Sequence, residues 1–313
     1  MAKAVCEITL GIDVSKDELV ICDWDTEQIT RLVNQPDKIK DWLGKLCGPI
    51  RIAIEPTSNY HLEFVEQAHA LGLIVYLVNP NQLAHYRKAI NVRNKTDPAD
   101  AWLLARYLAH ESASLRPFKP QCAKAQRLWA LIKRRGVTVS ARQKLQQSFR
   151  ESKLPAKALF SEFEKVIARI DQKIQALIRA LGWWIDYQRC LSMPGIGPVN
   201  AAALTAVFHR GAFASSDAYV AFIGLDIRVR DSGRYTGKQK LTKCGEAEIR
   251  RLLYCAAQPA RSYHLFEDYY QRQLEKGLSK IAAKVALARK LARIAFSLLS
   301  NHSSFKKQEI AYS

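Results

Sequence analysis

At 313 residues, with 48% hydrophobic and 25% charged side chains, the chain has room for two folded cores and a globular composition. Its formal net charge of +19 is uneven: residues 1–113 hold 12 Lys+Arg against 15 Asp+Glu, and the other 36 and 14 fall in 114–313. No run approaches 18 apolar residues, and the seven cysteines (Cys6, Cys22, Cys47, Cys122, Cys190, Cys244, Cys255) form no C-x-x-C pair, which argues against membrane spans, structural zinc and a disulfide framework.

The chain enters a strand pattern directly at "MAKAVCEITLGID", unlike a signal peptide, so a cytoplasmic protein with no membrane partner is expected. "CEITLGIDVS", "ELVICDW" and "QITRLVN" read as three strands of an antiparallel meander. "PDKIKDWLGKLCG" reads as a helix, "IRIAIEP" as a strand, "NYHLEFVEQAHALG" as a helix and "LIVYLVNP" as a strand. Two further helices, "PNQLAHYRKAI" and "DPADAWLLARYLAHE", complete a first domain over 1–113. The order β-β-β-α-β-α-β-α predicts a mixed sheet covered by helices, an α/β RNase H-like fold.

Beyond residue 120 the strand signal ends. Residues 114–184 form a basic helical region in which Phe163, Ile167, Ile170, Ile174, Leu177 and Leu181 recur at coiled-coil spacing. Such a seam can join two copies of the chain or close a helical hairpin within one. Residues 185–313 are mostly α. They open with "LSMPGIGPVNAAALTAVF", where Gly195 and Gly197 resemble a helix-hairpin-helix turn whose backbone N–H groups grip phosphate. A plain tight turn between core helices is the alternative. The basic half points to a polyphosphate partner, a nonspecific basic surface being the other explanation.

Four acids stand at informative positions. Asp13 ends the first strand and Glu55 the fourth, and adjacent central strands would project both at one edge of the sheet. Asp97 and Asp100, at i and i+3, share a helix face. Paired Mg²⁺ ions in phosphoryl transfer require such convergent oxygen ligands. "DPAD" is also a good helix start, with Asp97 as N-cap, Pro98 at the first helical position and Asp100 near the dipole's positive end. The two roles are compatible, because a capping carboxylate has a second oxygen.

In the stretch "IRVRDSGRYTGKQKLTKCGEAEIRRLLY", Ser232 precedes Gly233 among Arg228, Arg230, Arg234, Lys238, Lys240 and Lys243. Cations and a nearby Mg²⁺ could activate the hydroxyl and hold the phosphate it attacks. A solvated basic turn that only binds nucleic acid is the alternative. No histidine adjoins the serine, so a triad is not indicated.

"GIDVSK", "IEPTSNYH" and "NKTDPADA" resemble the acidic motifs of the DEDD transposases, an insertion-sequence family that includes the Piv DNA invertase and the bridge-RNA-guided recombinases. "MPGIGP…AAAL", "AFIGLDIRVRDSG" and "LTKCGEAEIRRLLYCAA" resemble the companion C-terminal transposase domain, so the likeness spans most of the chain. It implies a RuvC-like domain binding Mg²⁺ through Asp13, Glu55, Asp97 and Asp100, with Ser232 as covalent nucleophile on DNA. It further implies donor and target DNA, a structured non-coding guide RNA, and a homo-oligomer (dimer or tetramer) with composite sites. One departure is Leu241-Thr242-Lys243-Cys244-Gly245, where the family pattern has Ile-Ser-Lys-x-Gly. The rivals are a junction-resolving nuclease that uses water and a non-catalytic nucleic-acid-binding protein.

Overall fold

The computed structural model describes residues 8–92, 94, 96–150, 155–228, 231–232, 235–236 and 240–306, and for 231–232 and 235–236 the backbone alone. The chain forms two compact units, Met1–Pro120 and Gln121–Ser313.

The first unit runs β1 (Ile8–Val14), β2 (Glu18–Asp23), β3 (Ile29–Val33), α1 (Pro36–Leu43), β4 (Ile50–Ile54), α2 (Leu62–Ala70), β5 (Ile74–Leu77), α3 (Pro80–Ala89) and α4 (Asp97–Glu111). One five-stranded sheet has the order β3-β2-β1-β4-β5. The meander β1-β2-β3 is antiparallel, whereas β4 joins β1, and β5 joins β4, in parallel. A mixed α/β unit with the expected element order results.

Alternation along the strands feeds two helical layers. Leu10, Ile12 and Val14 pack with Ile50, Ile52 and Ile54 against Ile39, Leu43, Phe64 and Val65 of α1 and α2. On the opposite face, Ala53 and Tyr76 meet Leu83, Leu103, Leu104 and Leu108, and Val20 and Cys22 meet Ala101 and Ala105. Gly11 explains how closely α4 lies on β1. A Cβ there would stand 2.1 Å from the Ala101 carbonyl oxygen and 2.2 Å from the Ala105 nitrogen. Only a residue without a side chain admits the helix at that depth.

The second unit contains α5 (Ala123–Phe149), α6 (Lys157–Ala180), α7 (Trp184–Leu191), α8 (Pro198–Phe208) and α9 (Ser216–Ile223). Short strands β6 (Ile227–Arg228), β7 (Asp231–Ser232), β8 (Tyr235–Thr236) and β9 (Lys240–Leu241) precede α10 (Ala247–Ala260), α11 (His264–Glu275) and α12 (Lys280–Ser300). Helices α5 and α6 pair antiparallel, since Arg135 binds Asp171 at 2.5 Å, Arg142 reaches Glu164 at 3.6 Å, and Phe149 meets Phe160 edge-on. The heptad seam turns inward: Ile167 and Ile174 are buried, Ile170, Leu177 and Leu181 pack partly buried on the core, and Ile174 with the neighbouring Ile178 shares that core with Leu128, Trp129 and Ile132 of α5. Of the two uses open to that seam, the hairpin within one chain is the one seen. Helix α12 runs through this core with Leu287, Leu291, Ala292, Ala295 and Leu299 fully buried. Among the described residues no helix is long and apolar enough to cross a membrane.

Candidate active site

The parallel register pairs Ile12 with Ile54, so Asp13 and Glu55 follow at matching positions on neighbouring central strands. Asp13 lies on the Gly11 face of β1 and Glu55 continues the Ala53 face of β4. Both strand faces therefore turn toward α3 and α4. Asp97 shares a helical row with Ala101 and Ala105, the two residues pressed against Gly11. All four acids line one cavity of about 840 Å³, together with Ser15, Lys16, Thr57, Tyr60, Arg87 and Lys88.

Charge crowding is evident at Asp13. Burial, then the carboxylates of Asp100, Asp97 and Glu55, raise its pKa from 3.8 to about 6. Three acids, Glu55 after β4 and Asp97 and Asp100 of α4, thus bear electrostatically on Asp13 of β1. No three His, Cys, Asp or Glu side chains among the described residues are grouped as a metal ion would require. Arg87 of α3 lies in the same cavity: its Nη2 donates to Asp100 Oδ1 and its Nη1 donates to the Asn94 carbonyl at 3.2 Å.

The start of α4 departs from expectation in one respect. Thr96, not Asp97, is the N-cap: its backbone is extended and its Oγ1 accepts from the Ala99 N–H at 3.4 Å. Asp97 is the first helical residue and Pro98 the second, where a missing N–H removes one of the unpaired first-turn donors. With the cap supplied by Thr96, the Asp97 carboxylate has no capping duty and faces the cavity.

Arg87, Lys16 and Tyr60 were not legible from the sequence as cavity residues, nor was Asn34. The Asn34 amide donates to the Ser15 carbonyl at 2.9 Å and the Tyr60 carbonyl at 3.1 Å, tying together the segments that follow Asp13 and Glu55. Arg87 lies in "HYRKAI", an ordinary basic helix end in sequence terms; only the packing of α3 beside α4 reveals it.

In the second unit Ser232 belongs to β7, paired antiparallel with β8 so that Ser232 opposes Tyr235. Arg230, Arg234 and Lys238 lie outside the described residues, and Arg228 and Lys240 oppose each other, exposed, in the β6–β9 pair. Lys243 is also exposed and holds a left-handed backbone, φ 56°. The base of this segment is clamped. Thr242 Oγ1 donates to Asp226 Oδ1, its N–H donates to the Asp226 carbonyl at 3.1 Å, and Arg250 donates to the Gly245 and Ile223 carbonyls. The hydroxyl kept at position 242 therefore has a structural partner.

Gly195 adopts φ 79°, and a Cβ there would stand 2.5 Å from Ala260 at the end of α10, so close packing accounts for this glycine. Gly197, at the N-cap of α8, has open space beside it.

A sheet that gathers acids onto one cavity, in a chain whose other unit is basic and helical, is the build of a nucleic-acid-processing enzyme. A transposase model matches residues 10–152, and the model of the transposase IS116/IS110/IS902 family matches 187–271. The chain belongs to this transposase family and is an enzyme that cuts and rejoins DNA. It is similar to the pilin gene-inverting proteins of Moraxella lacunata and Moraxella bovis, 26% identical to each, over 96% of this chain and 98% of theirs. A probable family 20 transposase of Pseudomonas aeruginosa is 24% identical over 95% of this chain and 98% of its own length.

Proposed function

We propose that this enzyme exchanges DNA strands, in transposition or site-specific inversion, through a phosphoserine intermediate on a RuvC-like (RNase H) scaffold. The observation that carries this is the convergence of Asp13, Glu55, Asp97 and Asp100 on one cavity, where burial and then the three neighbouring carboxylates raise the Asp13 pKa to about 6. Hard carboxylate oxygens under mutual repulsion are the donor set that suits Mg²⁺, and these four would hold it. When bound, the ion supplies neutralisation of charge on the phosphodiester.

Every other task falls to the protein. The Ser232 Oγ attacks phosphorus and gives its proton to solvent, while the bond to the 3′ oxygen breaks and that oxygen takes a proton from solvent, leaving a 5′-phosphoserine ester and a free 3′-hydroxyl. A 3′-hydroxyl of the partner duplex then attacks that ester, re-forming a phosphodiester and returning a proton to the serine. Ester exchange conserves the bond, so no external energy source is needed. Arg228, Arg230, Arg234, Lys238, Lys240 and Lys243 clamp phosphates, and the Gly195–Gly197 turn adds backbone donors at the start of α8.

In this scheme residues 1–113 form the catalytic domain, 114–184 the basic hairpin and 185–313 the serine-bearing domain. Donor and target DNA are the substrates, a structured non-coding RNA guides their choice, and a dimer or tetramer in the cytoplasm builds composite sites. Support for inversion comes from the names of the Moraxella relatives.

The test is a denaturing gel of end-labelled duplex incubated with the enzyme. The wild type should give a covalent protein–DNA adduct, and Ser232→Ala should lose adduct and strand exchange while retaining DNA binding. Free cut ends without adduct in the wild type would instead identify a RuvC-like nuclease in which water attacks.

A further inference from the structure

The cavity that gathers the four acids also contains a cation of the protein's own. Arg87 is 16% exposed and Asp100 13% exposed, and the guanidinium spends one nitrogen on the carboxylate and another on the Asn94 carbonyl. A charge-assisted bond between two such poorly hydrated groups is stronger than a surface ion pair. It also uses an oxygen that a divalent ion would need. Arg87 thus sets a positive charge directly against Asp100, one of the four acids that line the cavity.

We propose that Arg87 is a resident counterion of the acid cavity: it holds Asp100 until a divalent cation displaces it, and so sets the affinity of the site for that cation. This rests on the metal role given above to the four acids. Two observations beyond the ion pair favour it. Asp13, Glu55, Asp97 and Asp100 line one cavity, and Arg87 lines it with them. The second Arg87 bond runs to Asn94, three residues before α4 begins, so the same guanidinium braces the segment that delivers Asp97 and Asp100. Arg87 thereby acts through Asp100 as a positioning residue.

The experiment is Mn²⁺ binding to the full-length protein, read by the loss of the free-ion electron paramagnetic resonance signal, without DNA. Removing a competing cation should tighten binding, so Arg87→Gln is expected to lower the Kd roughly three- to tenfold. Arg87→Lys, which keeps the charge and guards against a fold defect, should stay near wild type. Asp100→Asn should weaken binding, and Arg87→Gln added to it should give no further tightening. Unchanged or weaker binding in Arg87→Gln, with Asp13→Asn abolishing it, overturns the counterion role and leaves the metal site standing. Equal binding by wild type and Asp13→Asn overturns both.

Discussion

The two halves of the candidate machinery are built on opposite principles. The acids rest on central strands and one long helix, locked by the close contact at Gly11 and surrounded by two apolar layers. The serine rests on two-residue strands whose fixed point is their base, where Asp226, Thr242 and Arg250 converge. Groups that must converge on one ion need a rigid frame. The proposed nucleophile, Ser232, is carried instead on short strands above a firm base. The contrast makes different substitutions decisive in each unit.

The largest effect is expected at Gly11. A Val side chain would collide with the α4 backbone rather than with movable side-chain tips, so α4 must lift from β1. We expect Gly11→Val to destabilise the α/β unit by more than about 3 kcal/mol and to abolish catalysis by separating Asp97 and Asp100 from Asp13. Hydrogen exchange read by segment would detect it, with lost protection over 8–120 and native protection over 121–306. Protection lost equally in both would show that the units do not fold independently.

Thr242→Val should act more gently and elsewhere. The isosteric change strips the Asp226 carboxylate of its hydroxyl donor but leaves the backbone bond, a loss of about 1–3 kcal/mol. Covalent adduct formation should fall while Mn²⁺ binding at the acid cavity is unchanged. Thr242→Ser should restore the adduct, because it returns the hydroxyl.

What the sequence disclosed follows the same contrast. Strands and helices of the first unit announce themselves by period, and acids at the ends of apolar strands mark a sheet edge, so Asp13 and Glu55 are legible in the sequence itself. Thr96 and Asp97 are both competent caps standing side by side, and composition cannot choose between them. The choice lies in which residue keeps an extended backbone. Arg87 and Asn34 were invisible because their roles depend on bonds to segments 13 to 26 residues away. In the second unit the heptad positions were plain, but only packing tells whether they face a partner or the same chain. At Gly195 the glycine of "PGIG" also meets a packing need against Ala260, which the motif alone does not disclose.

The smallest expected effect separates the units by the sign of a pH response. Asp13 has a folded pKa of about 6 against an ordinary 3.8, so the folded α/β unit binds that proton more tightly than the unfolded chain does. Its stability contribution is therefore unfavourable above pH 6 and disappears as the pH falls toward 4. In the helical unit Glu267 is shifted the other way, chiefly by the paired bonds from Arg261, 2.7 and 2.9 Å. Its stabilisation is present above the ordinary carboxylate range and is lost on acidification. With divalent ions chelated, Asp13→Asn should stabilise residues 8–120 by about 1–2 kcal/mol at pH 7, allowing for solvent screening of a partly exposed group, and by nothing near pH 4. Segmental hydrogen exchange at the two pH values is the measurement. A gain independent of pH would mean that Asp13 is crowded sterically and not electrostatically, and the four carboxylates would then not act as one charged cluster.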